Sequence, residues 1–491
     1  MASQPPAAMM RPVQTGKLEP DAIGVAQDTV IGMASSAPAV STGITLAALA
    51  AATAYGSGPV IVLTAIPMLI IANAYRQLNL WNANCGASFE WVGRAISPYL
   101  GFLTGWLMLT GYVIGAVAGV EIIGPSVLGV YSSGFASTWA SIGIATAVSL
   151  VMLAIAVAGI RITARTQVAM AVVEYAILTV FAIAGLIAVA RHWSGTIRFS
   201  GGWLSPTGVG GHGSLAAGLL LAVFIFSGWE GTLYVNEEVK HRRVNPGRAA
   251  IIAVALLTVI YTLATMGLQG AVPADALAAH STSALTYTAQ ALAGPGWAKI
   301  MALSLALSVI AATGTNIVLT ARIIYGMASY RTLPKGLANI SPRFSTPASA
   351  SILTGVLLIA LTWLYLLANS VQDAFTAVID VSGLLFAAFY ILTALATIAY
   401  YRRRVLASPR DAVTLGVLPV AAAAFLAWII ARSVQAAPAS QDWSLAGIVV
   451  LGLILMAVAR LSLRSEFFAI PRESEPSSTT ASEPTPGHRR S

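Results

Sequence analysis

The chain has 491 residues, of which 57% are hydrophobic and 9% are charged, and its formal net charge is +9. A soluble domain has about 45–50% apolar and about 25% charged residues, so this composition excludes a soluble protein and predicts an integral membrane protein. One cysteine, Cys85, excludes an internal disulfide, and the sequence shows no Cys and His cluster with metal-ligand spacing. We therefore expect neither a metal site nor a cofactor.

Apolar runs of about 20 residues, the length that crosses the hydrocarbon core of a bilayer as a helix, occur twelve times along the chain. They predict spanning helices near residues 23–47, 59–79, 98–123, 137–159, 167–190, 214–238, 249–271, 298–321, 350–368, 375–400, 412–432 and 443–463. Between the seventh and eighth spans, the pattern predicts a short helix over residues 276–293 that lies across one mouth of the protein. The alternative is that this connection is an inert loop.

Basic residues are distributed unequally between the two sides of this topology. Of the 27 Lys and Arg residues, four fall on one side: Arg191, Arg198, Lys299 and Arg432. By the positive-inside rule, this asymmetry predicts a multi-pass protein of the plasma membrane with both termini in the cytoplasm. The rule also accounts for the positive net charge, so we expect no nucleic-acid partner.

Two predicted spans contain small, hydroxylated and helix-breaking residues at mid-depth, at residues 32–38 and 226–231. Every backbone N–H and C=O needs a partner in hydrocarbon, so such breaks are tolerated where the opened backbone faces a ligand, an ion or water. The breaks lie five spans apart, and a matched pair of this kind is typical of the binding site of a secondary transporter.

The position of the breaks also predicts the fold. If spans 1–5 and 6–10 are copies inserted in opposite orientations, each copy has an odd number of helices and begins with its broken helix, as observed. We therefore predict an all-α membrane protein with twelve transmembrane helices, a 5+5 inverted repeat with discontinuous helices 1 and 6, and two extra helices. The predicted divisions are a disordered cytoplasmic tail 1–20, repeats 21–200 and 201–405, helices 11–12 at 406–465, and a disordered cytoplasmic tail 466–491.

Several motifs resemble those of the amino acid-polyamine-organocation (APC) permeases. The first group of stretches lies across the second and third spans, at 75–79, 85–91 and 101–106. The second lies in the sixth span and the loop after it, at 227–230, 237–240 and 245–249, and the third lies at the end of the eighth span, at 322–328, 333–334 and 346–347. The resemblance extends over about residues 23–465. It implies a five-helix inverted-repeat fold that moves an amino acid, a polyamine or a related organic cation by alternating access.

At each break, one half-helix presents free N–H groups and the other presents free carbonyls. An amino acid zwitterion matches this pair, with its carboxylate near the first break and its ammonium near carbonyls of both helices. The predicted substrate-binding residues are Ile31, Ala34, Ser35, Ser36, Ala37, Phe226, Ser227, Gly228 and Trp229. The alternative is that the serines only kink the helix and that the two aromatic side chains only pack.

Three glutamates lie within predicted spans: Glu121, Glu174 and Glu230. A charge at bilayer depth costs about 2.5–3.5 kcal/mol on insertion scales, which favours a functional role. The resemblance places Glu174 where similar proton-coupled members carry a lysine, and Glu230 resembles the proton-linked carboxylate of arginine-agmatine exchangers. We assign proton coupling to Glu174 and Glu230. The alternatives are that Glu174 is a structural cap and that Glu121 is a structural carboxyl.

The sequence therefore predicts a secondary active transporter that carries amino acids across the plasma membrane by alternating access with proton coupling. The alternatives are a polyamine or other amine transporter or exchanger, and a sodium-coupled symporter in which oxygens of Thr313, Thr315 and Asn316 bind sodium. We do not expect an enzyme, because all five histidines fall in loops or a tail. The expected partners are a small-molecule substrate, a proton or sodium, and the lipid bilayer; no feature selects an oligomeric state.

Overall fold

The computed structural model describes residues 17–53, 56–131, 138–193, 195–206, 214–280, 283–368, 371–436 and 439–475. Most of each predicted tail lies outside these described residues, which include only 17–20 of the first tail and 466–475 of the second.

Five spans make up the first half of the protein. Their helices, with a short helix α4 before the third span, are α1 (Val25–Ser35) and α2 (Pro38–Thr53), α3 (Ser57–Trp81), α4 (Ser88–Ala95), α5 (Pro98–Tyr131), α6 (Thr138–Ala158) and α7 (Ile160–Ala190).

The second half repeats this arrangement from the other side of the membrane. It consists of α8 (Leu215–Phe226) with a 3-10 turn at Trp229–Leu233, α9 (Asn245–Ala271), the short helices α10 (Ala274–Ala279) and α11 (Ala284–Ala293), α12 (Pro295–Ser329), α13 (Ala348–Ala368) and α14 (Val371–Ala407).

Two further spans follow the repeats. The helix turn α15 (Pro409–Asp411) and a π-helical turn at Ala412–Val417 lead into α16 (Leu418–Ala436), and α17 (Ala439–Leu461) is the last span. Within the described residues, eleven helices are long and apolar enough to cross a membrane, and the bent helices over residues 25–53 make a twelfth. The predicted all-α fold with twelve spans is confirmed.

Several helices are longer than the apolar runs that predicted them. Helix α12 has 35 residues, whereas the prediction was 298–321. A helix of that length extends about 52 Å, and the hydrocarbon core is about 30 Å thick. Its ends therefore continue beyond the core, where hydropathy no longer marks the helix.

We call the side of the membrane on which residues 17–24 lie the N-terminal face, and the other side the opposite face. Helix α1 starts at the N-terminal face, whereas α8 starts at the opposite face, so the two halves are inverted. The even number of spans returns the chain to the N-terminal face, where the Glu473 N–H donates to the Arg94 carbonyl at 2.8 Å.

Residues 466–475 differ from the predicted disordered tail. The segment begins with a 3-10 turn at Glu466–Ala469, and the buried ring of Phe467 stacks on Phe89 of α4 with 4.1 Å between ring centroids. Glu473 also forms an ion pair with Arg94 at 2.5 Å. Aromatic burial orders these residues, and the polar composition that predicted a tail does not record it.

Candidate functional site

The first helix break falls between α1 and α2. Helix α1 ends at Ser35, Ala37 has a φ of +45°, and α2 starts at Pro38. Proline has no N–H and disfavours the helical conformation of the residue before it, which explains why the helix stops here. The Ser36 carbonyl accepts from the Ser41 hydroxyl at 2.6 Å, so part of the opened backbone is bonded by side chains.

The second break follows α8, which ends at Phe226. Ser227 is extended, and Gly228 has a φ of +110°, a conformation that glycine adopts without strain. A Cβ atom on Gly228 would lie 2.8 Å from the backbone carbonyl carbon of Ser35, so the two breaks are in direct contact. The predicted pair of discontinuous helices is therefore brought together at one place in the fold.

A cavity lies beside the two breaks. The volume open to the centres of water-sized spheres is about 70 Å³. Since one water needs about 10–15 Å³ by this measure, the cavity has room for about five water-sized groups. It is lined by Ser35, Ser36, Ala37, Val40, Ser41, Thr45, Gly111, Tyr112, Gly115, Ala118, Gly119, Phe224, Ser227, Gly228, Ala312, Asn316 and Phe386.

Five of the nine predicted substrate-binding residues line this cavity: Ser35, Ser36, Ala37, Ser227 and Gly228. The other four, Ile31, Ala34, Phe226 and Trp229, are fully buried and do not line it. They lie on the half-helix faces that pack against other helices. Phe226 meets Tyr261 edge to face at 5.5 Å, and Trp229 stacks on Tyr390 at 5.7 Å between ring centroids.

Glu230 lies one residue beyond Trp229 and is fully buried. Its carboxylate accepts hydrogen bonds from the Tyr112 hydroxyl at 2.8 Å, the Tyr390 hydroxyl at 2.6 Å and the Gly228 N–H at 3.0 Å. Tyr112 also lines the cavity. One side chain therefore separates the carboxyl group from the space in which a substrate would bind.

Glu174 of α7 is held at the start of half-helix α2. Its Oε1 accepts from the Ala39 N–H at 3.0 Å, and the neighbouring Val40 N–H donates to the Ser308 hydroxyl at 3.4 Å. A carboxylate is favourable at this end of a helix because the free N–H groups carry partial positive charge. The position agrees with both readings of Glu174, the structural cap and the coupling group.

The amides that were predicted to hold a substrate carboxylate have partners in this conformation. The Ser36 N–H donates to the Met33 carbonyl at 3.1 Å, and the Ala37 N–H donates to the Ala34 carbonyl at 3.2 Å. A carboxylate bound at these amides would have to replace both bonds. The placement of the carboxylate stays a prediction.

The residues considered as sodium ligands and the carboxyl considered structural lie in different surroundings. Asn316 lines the cavity and accepts from the Ser35 hydroxyl at 2.8 Å, whereas the Thr313 hydroxyl donates to the Val309 carbonyl at 2.8 Å within its own helix. Within the described residues, the Thr315 hydroxyl and both Glu121 carboxyl oxygens have no hydrogen-bond partner. Glu121 is not among the residues that line the cavity.

Sequence reasoning missed Tyr112 and Tyr390, which hold Glu230, because tyrosines on α5 and α14 show no local signal of this contact. It also missed the glycines of α5 at positions 111, 115 and 119. Their spacing of four residues was visible in the sequence and places them on one face of the helix.

A buried ion pair lies on the N-terminal-face side of the cavity-lining residue Asn316, further along α12. Arg322 of α12 donates from Nε and Nη2 to the two carboxylate oxygens of Glu238, both at 2.9 Å, and both side chains are fully buried. The Glu238 carbonyl accepts from the Ala22 N–H at 2.8 Å, and the Lys240 N–H donates to the Ile23 carbonyl at 2.9 Å. The chain before α1 is thus tied to the segment after the second break.

The sequence of the chain also matches a known family of proteins. The family model described as amino acid permease matches residues 27–461 of the chain. The protein belongs to the amino acid permease family. As a member of the APC superfamily it is a membrane transporter of amino acids or similar organic compounds, and the prediction that it is not an enzyme is confirmed.

Curated relatives are also transporters. An uncharacterised transporter of Mycobacterium tuberculosis is 27% identical over 69% of this chain and 73% of its own length. The D-serine/D-alanine/glycine transporter of Escherichia coli K12 is 21% identical over 69% of this permease and 71% of its own length. The Asc-type amino acid transporter 1 of Mus musculus is 31% identical over 30% of this permease and 27% of its own length.

Solved structures share the fold. A mutant form of the Eremococcus coleocola manganese transporter has a TM-score of 0.62 over 90% of this permease and 94% of the other chain, with 13% sequence identity. At this identity the likeness concerns the fold.

Proposed function

We propose that this permease is a secondary active transporter of small amino acids that works by alternating access and is driven by protons. The observation that carries the proposal is the contact between the two helix breaks beside a cavity, with Glu230 one side chain away. Mid-depth breaks that line a cavity supply the polar backbone groups a solute needs to leave water.

The size of the cavity supports a small substrate. Room for about five water-sized groups matches an amino acid with a short side chain. The substrates in the name of the Escherichia coli relative, D-serine, D-alanine and glycine, are also small, and they agree with this volume.

Glu230 supports proton coupling through its hydrogen bonds. Three donors converge on the carboxyl group, an arrangement that suits the anion. When Glu230 takes up a proton, the protonated oxygen becomes a donor, and the tyrosine hydroxyl bonded to it has to accept instead of donate. If this tyrosine is Tyr112, its hydroxyl hydrogen is free to point toward the cavity, so that substrate binding and protonation depend on each other.

Glu174 supports coupling by a second route. As an anion it holds the Ala39 N–H at the start of α2. Protonation removes the charge that complements the end of this half-helix and weakens the attachment of α2 to α7. Movement of α2 relative to α7 would then follow the protonation of Glu174.

A second candidate is an amine transporter without a requirement for a substrate carboxylate. It is favoured by the amides of the first break, which bond to the Met33 and Ala34 carbonyls, and by two buried carboxyls near the cavity. Sodium as the coupling ion remains the alternative to the proton. We place the protein in the plasma membrane with its N-terminal face in the cytoplasm, because the basic residues concentrate there.

Transport in proteoliposomes tests the proposal. The panel is glycine, alanine, serine and putrescine, each labelled and driven by a pH gradient or a sodium gradient, with native protein, Glu230→Gln and Glu174→Gln. We expect a pH gradient to concentrate at least one amino acid inside proteoliposomes with the native protein. In at least one variant this accumulation should be lower by about tenfold or more, while counterflow persists. A tenfold change corresponds to about 1.4 kcal/mol.

The control is Glu121→Gln, which removes a buried carboxyl that does not line the cavity. It should accumulate substrate as the native protein does. Accumulation at the native level by both test variants would refute the coupling assignment, and uptake of putrescine without any amino acid would favour the amine transporter.

A further inference from the structure

The segment after the last span, residues 465–475, has a fitted seat on α4; we call this segment the clasp. The ring of Phe467 is fully buried and stacks on Phe89 of α4 with 4.1 Å between ring centroids. A Cβ atom on Gly93 of α4 would lie 2.5 Å from the Cζ atom of Phe467. Glycine at this position therefore leaves the space that the ring occupies, and any side chain there would compete with the docked ring.

Polar contacts attach the clasp to two separate parts of the N-terminal face. The Ser465 hydroxyl donates to the carbonyl of Tyr330, the residue that follows α12, at 2.5 Å. Arg94 of α4 donates from Nη1 to the Glu473 carboxylate at 2.5 Å, and its carbonyl accepts from the Glu473 N–H at 2.8 Å. The clasp therefore bridges α4 in the first half of the protein and the end of α12 in the second half.

Helix α4 in turn holds the loop that precedes it, residues 82–87. The Glu90 carboxylate accepts from Arg94 Nε at 2.8 Å and from the Asn82 side chain at 2.9 Å. The Trp91 indole N–H donates to the Asn82 carbonyl at 2.7 Å. The position of this loop therefore depends on where α4 lies.

The same loop binds the segment after the second helix break. The Asn84 carbonyl accepts from the Asn236 side chain at 2.9 Å, and the Cys85 N–H donates to the Glu237 carboxylate at 3.0 Å. The next residue of the segment forms the buried ion pair with Arg322 of α12. Direct contacts thus connect the clasp, α4, loop 82–87 and residues 236–238.

These contacts give the clasp a preference for one arrangement of the N-terminal face. When residues 236–238 separate from α12, loop 82–87 and α4 move with them and away from the end of α12. The clasp is bonded to both α4 and Tyr330, so it cannot keep both attachments after this movement. A contact that exists in one state and is lost in the other shifts the equilibrium toward the first state.

We propose that the clasp is an autoinhibitory contact, which holds the N-terminal face closed through α4 and loop 82–87 and whose release favours opening of this face. Phe467 in its seat beside Gly93 is the anchor, and the pair between Glu473 and Arg94 is the second attachment. The device acts on the conformational equilibrium of the protein and does not depend on which solute the protein carries.

The rate at which iodoacetamide labels Cys85 in the purified full-length protein, divided by the rate in the denatured protein, tests this device. Phe467→Ala removes the ring, and Gly93→Ala places a methyl group where the ring lies. Each should speed labelling by about fivefold or more, because a lost or overpacked buried contact is costly. The double variant should label no faster than Phe467→Ala, since both changes act through one contact.

A variant with a mild effect on stability tests the second attachment. Glu473→Gln removes the partly exposed ion pair with Arg94 and should speed labelling by about threefold. The matched control is Glu466→Gln in the same segment, because Glu466 is exposed and has no ion pair within the described residues. Its labelling rate should stay within about 1.5-fold of the native rate.

General loss of stability is controlled by Gly185→Ala near the opposite face, where a Cβ atom would lie 2.2 Å from the Gly267 carbonyl oxygen. It should lower the midpoint of thermal unfolding and change Cys85 labelling by less than about twofold. Native labelling rates in Phe467→Ala, Gly93→Ala and Glu473→Gln would overturn the proposal, and so would an equal acceleration in Gly185→Ala.

The experiment also separates the clasp from the proposed function, because labelling of Cys85 requires no substrate. Faster labelling in the clasp variants of a protein that accumulates no amino acid supports the clasp and refutes the proposed function. Accumulation driven by a pH gradient, with native labelling rates in all clasp variants, supports the proposed function and refutes the clasp.

Discussion

At the scale of single residues, the absence of a side chain has two opposite consequences in this protein. Gly185 and Gly267 bring α7 and α9 into backbone contact, whereas Gly119 leaves a space that no other part of the described chain fills. The sequence shows the same residue type at all three positions. Only the positions of neighbouring atoms distinguish a packing glycine from one that shapes a cavity.

Replacing a packing glycine tests this distinction. Gly185→Ala would place a methyl group 2.2 Å from the Gly267 carbonyl oxygen, so the helices must separate. Overpacking of this kind costs about 1–3 kcal/mol, and we expect a lower midpoint in thermal unfolding of the detergent-solubilised protein. Gly143→Ala on the outward face of α6 is the control and should melt at or above the native temperature, since alanine favours the helix. Equal midpoints for both variants would contradict the packing role.

At the scale of structural elements, the segment after the second break connects the binding region to the N-terminal face. Glu238 pairs with Arg322 of α12, and the preceding Glu237 accepts from the Cys85 N–H at 3.0 Å. Asn236 donates to the Asn79 side chain of α3 at 2.8 Å. Three successive residues therefore connect this segment to α3, to the loop between α3 and α4, and to α12. Opening toward the N-terminal face requires these contacts to separate together.

Cys85 reports such an opening. Burial raises the pKa of its thiol well above the ordinary value, so it reacts slowly while the face is closed. Glu238→Gln removes the ion pair with Arg322, and breaking a buried pair costs about 3–5 kcal/mol. We expect iodoacetamide to label Cys85 about tenfold faster or more in this variant, with each rate divided by that of the denatured protein at the same pH.

The same contact predicts a pH dependence. Burial raises the pKa of the Glu238 carboxyl above its ordinary value, and the Arg322 guanidinium opposes this shift. A carboxyl whose pKa is higher in the closed protein than in the open one binds its proton more tightly in the closed protein. As the pH falls through the raised pKa, protonation of Glu238 therefore favours the closed face, so normalised labelling should decrease toward acid in the native protein and stay constant in Glu238→Gln. Glu19→Gln, which removes a half-exposed pair with Arg161, is the control and should change labelling by less than about twofold. A native rate that is flat with pH would contradict this assignment.

At the scale of the whole molecule, the inverted repeat places two equivalent broken helices in opposite directions at the centre of the bundle. Residues 17–24 and 466–475 lie on the same face, because twelve spans return the chain to its starting side. The cluster of Arg402, Arg403 and Arg404 at the end of α14 lies on this face as well. The proposed cytoplasmic location of the N-terminal face follows from these charges.

Labelling of single cysteines tests the orientation. In a Cys85→Ser background, Arg198→Cys on the opposite face should react with a membrane-impermeant maleimide added to intact cells. Arg402→Cys on the N-terminal face should react only after the cells are permeabilised. The reverse pattern would show that the positive-inside rule assigns the wrong orientation to this protein.

The sequence by itself determined the number of spans, the positions of the helix breaks and the family, because each depends on local features: runs of apolar residues, the Pro38 and Gly228 positions, and short motifs. It also identified Glu230 as a buried carboxyl, since a charge within an apolar run is visible without any neighbour. The ends of α12 were not predictable, because hydropathy stops at the edge of the hydrocarbon whereas the helix continues.

Only the tertiary structure decided which side of each broken helix faces the cavity. It placed Ser35 and Gly228 in the lining and Phe226 and Trp229 behind it, and it joined Glu230 to tyrosines that lie 118 and 160 residues away along the chain. Such contacts arise from the packing of helices that are far apart in sequence. No local pattern encodes them, because a hydroxyl group or a glycine has the same appearance in the sequence whether it faces lipid, another helix or the substrate.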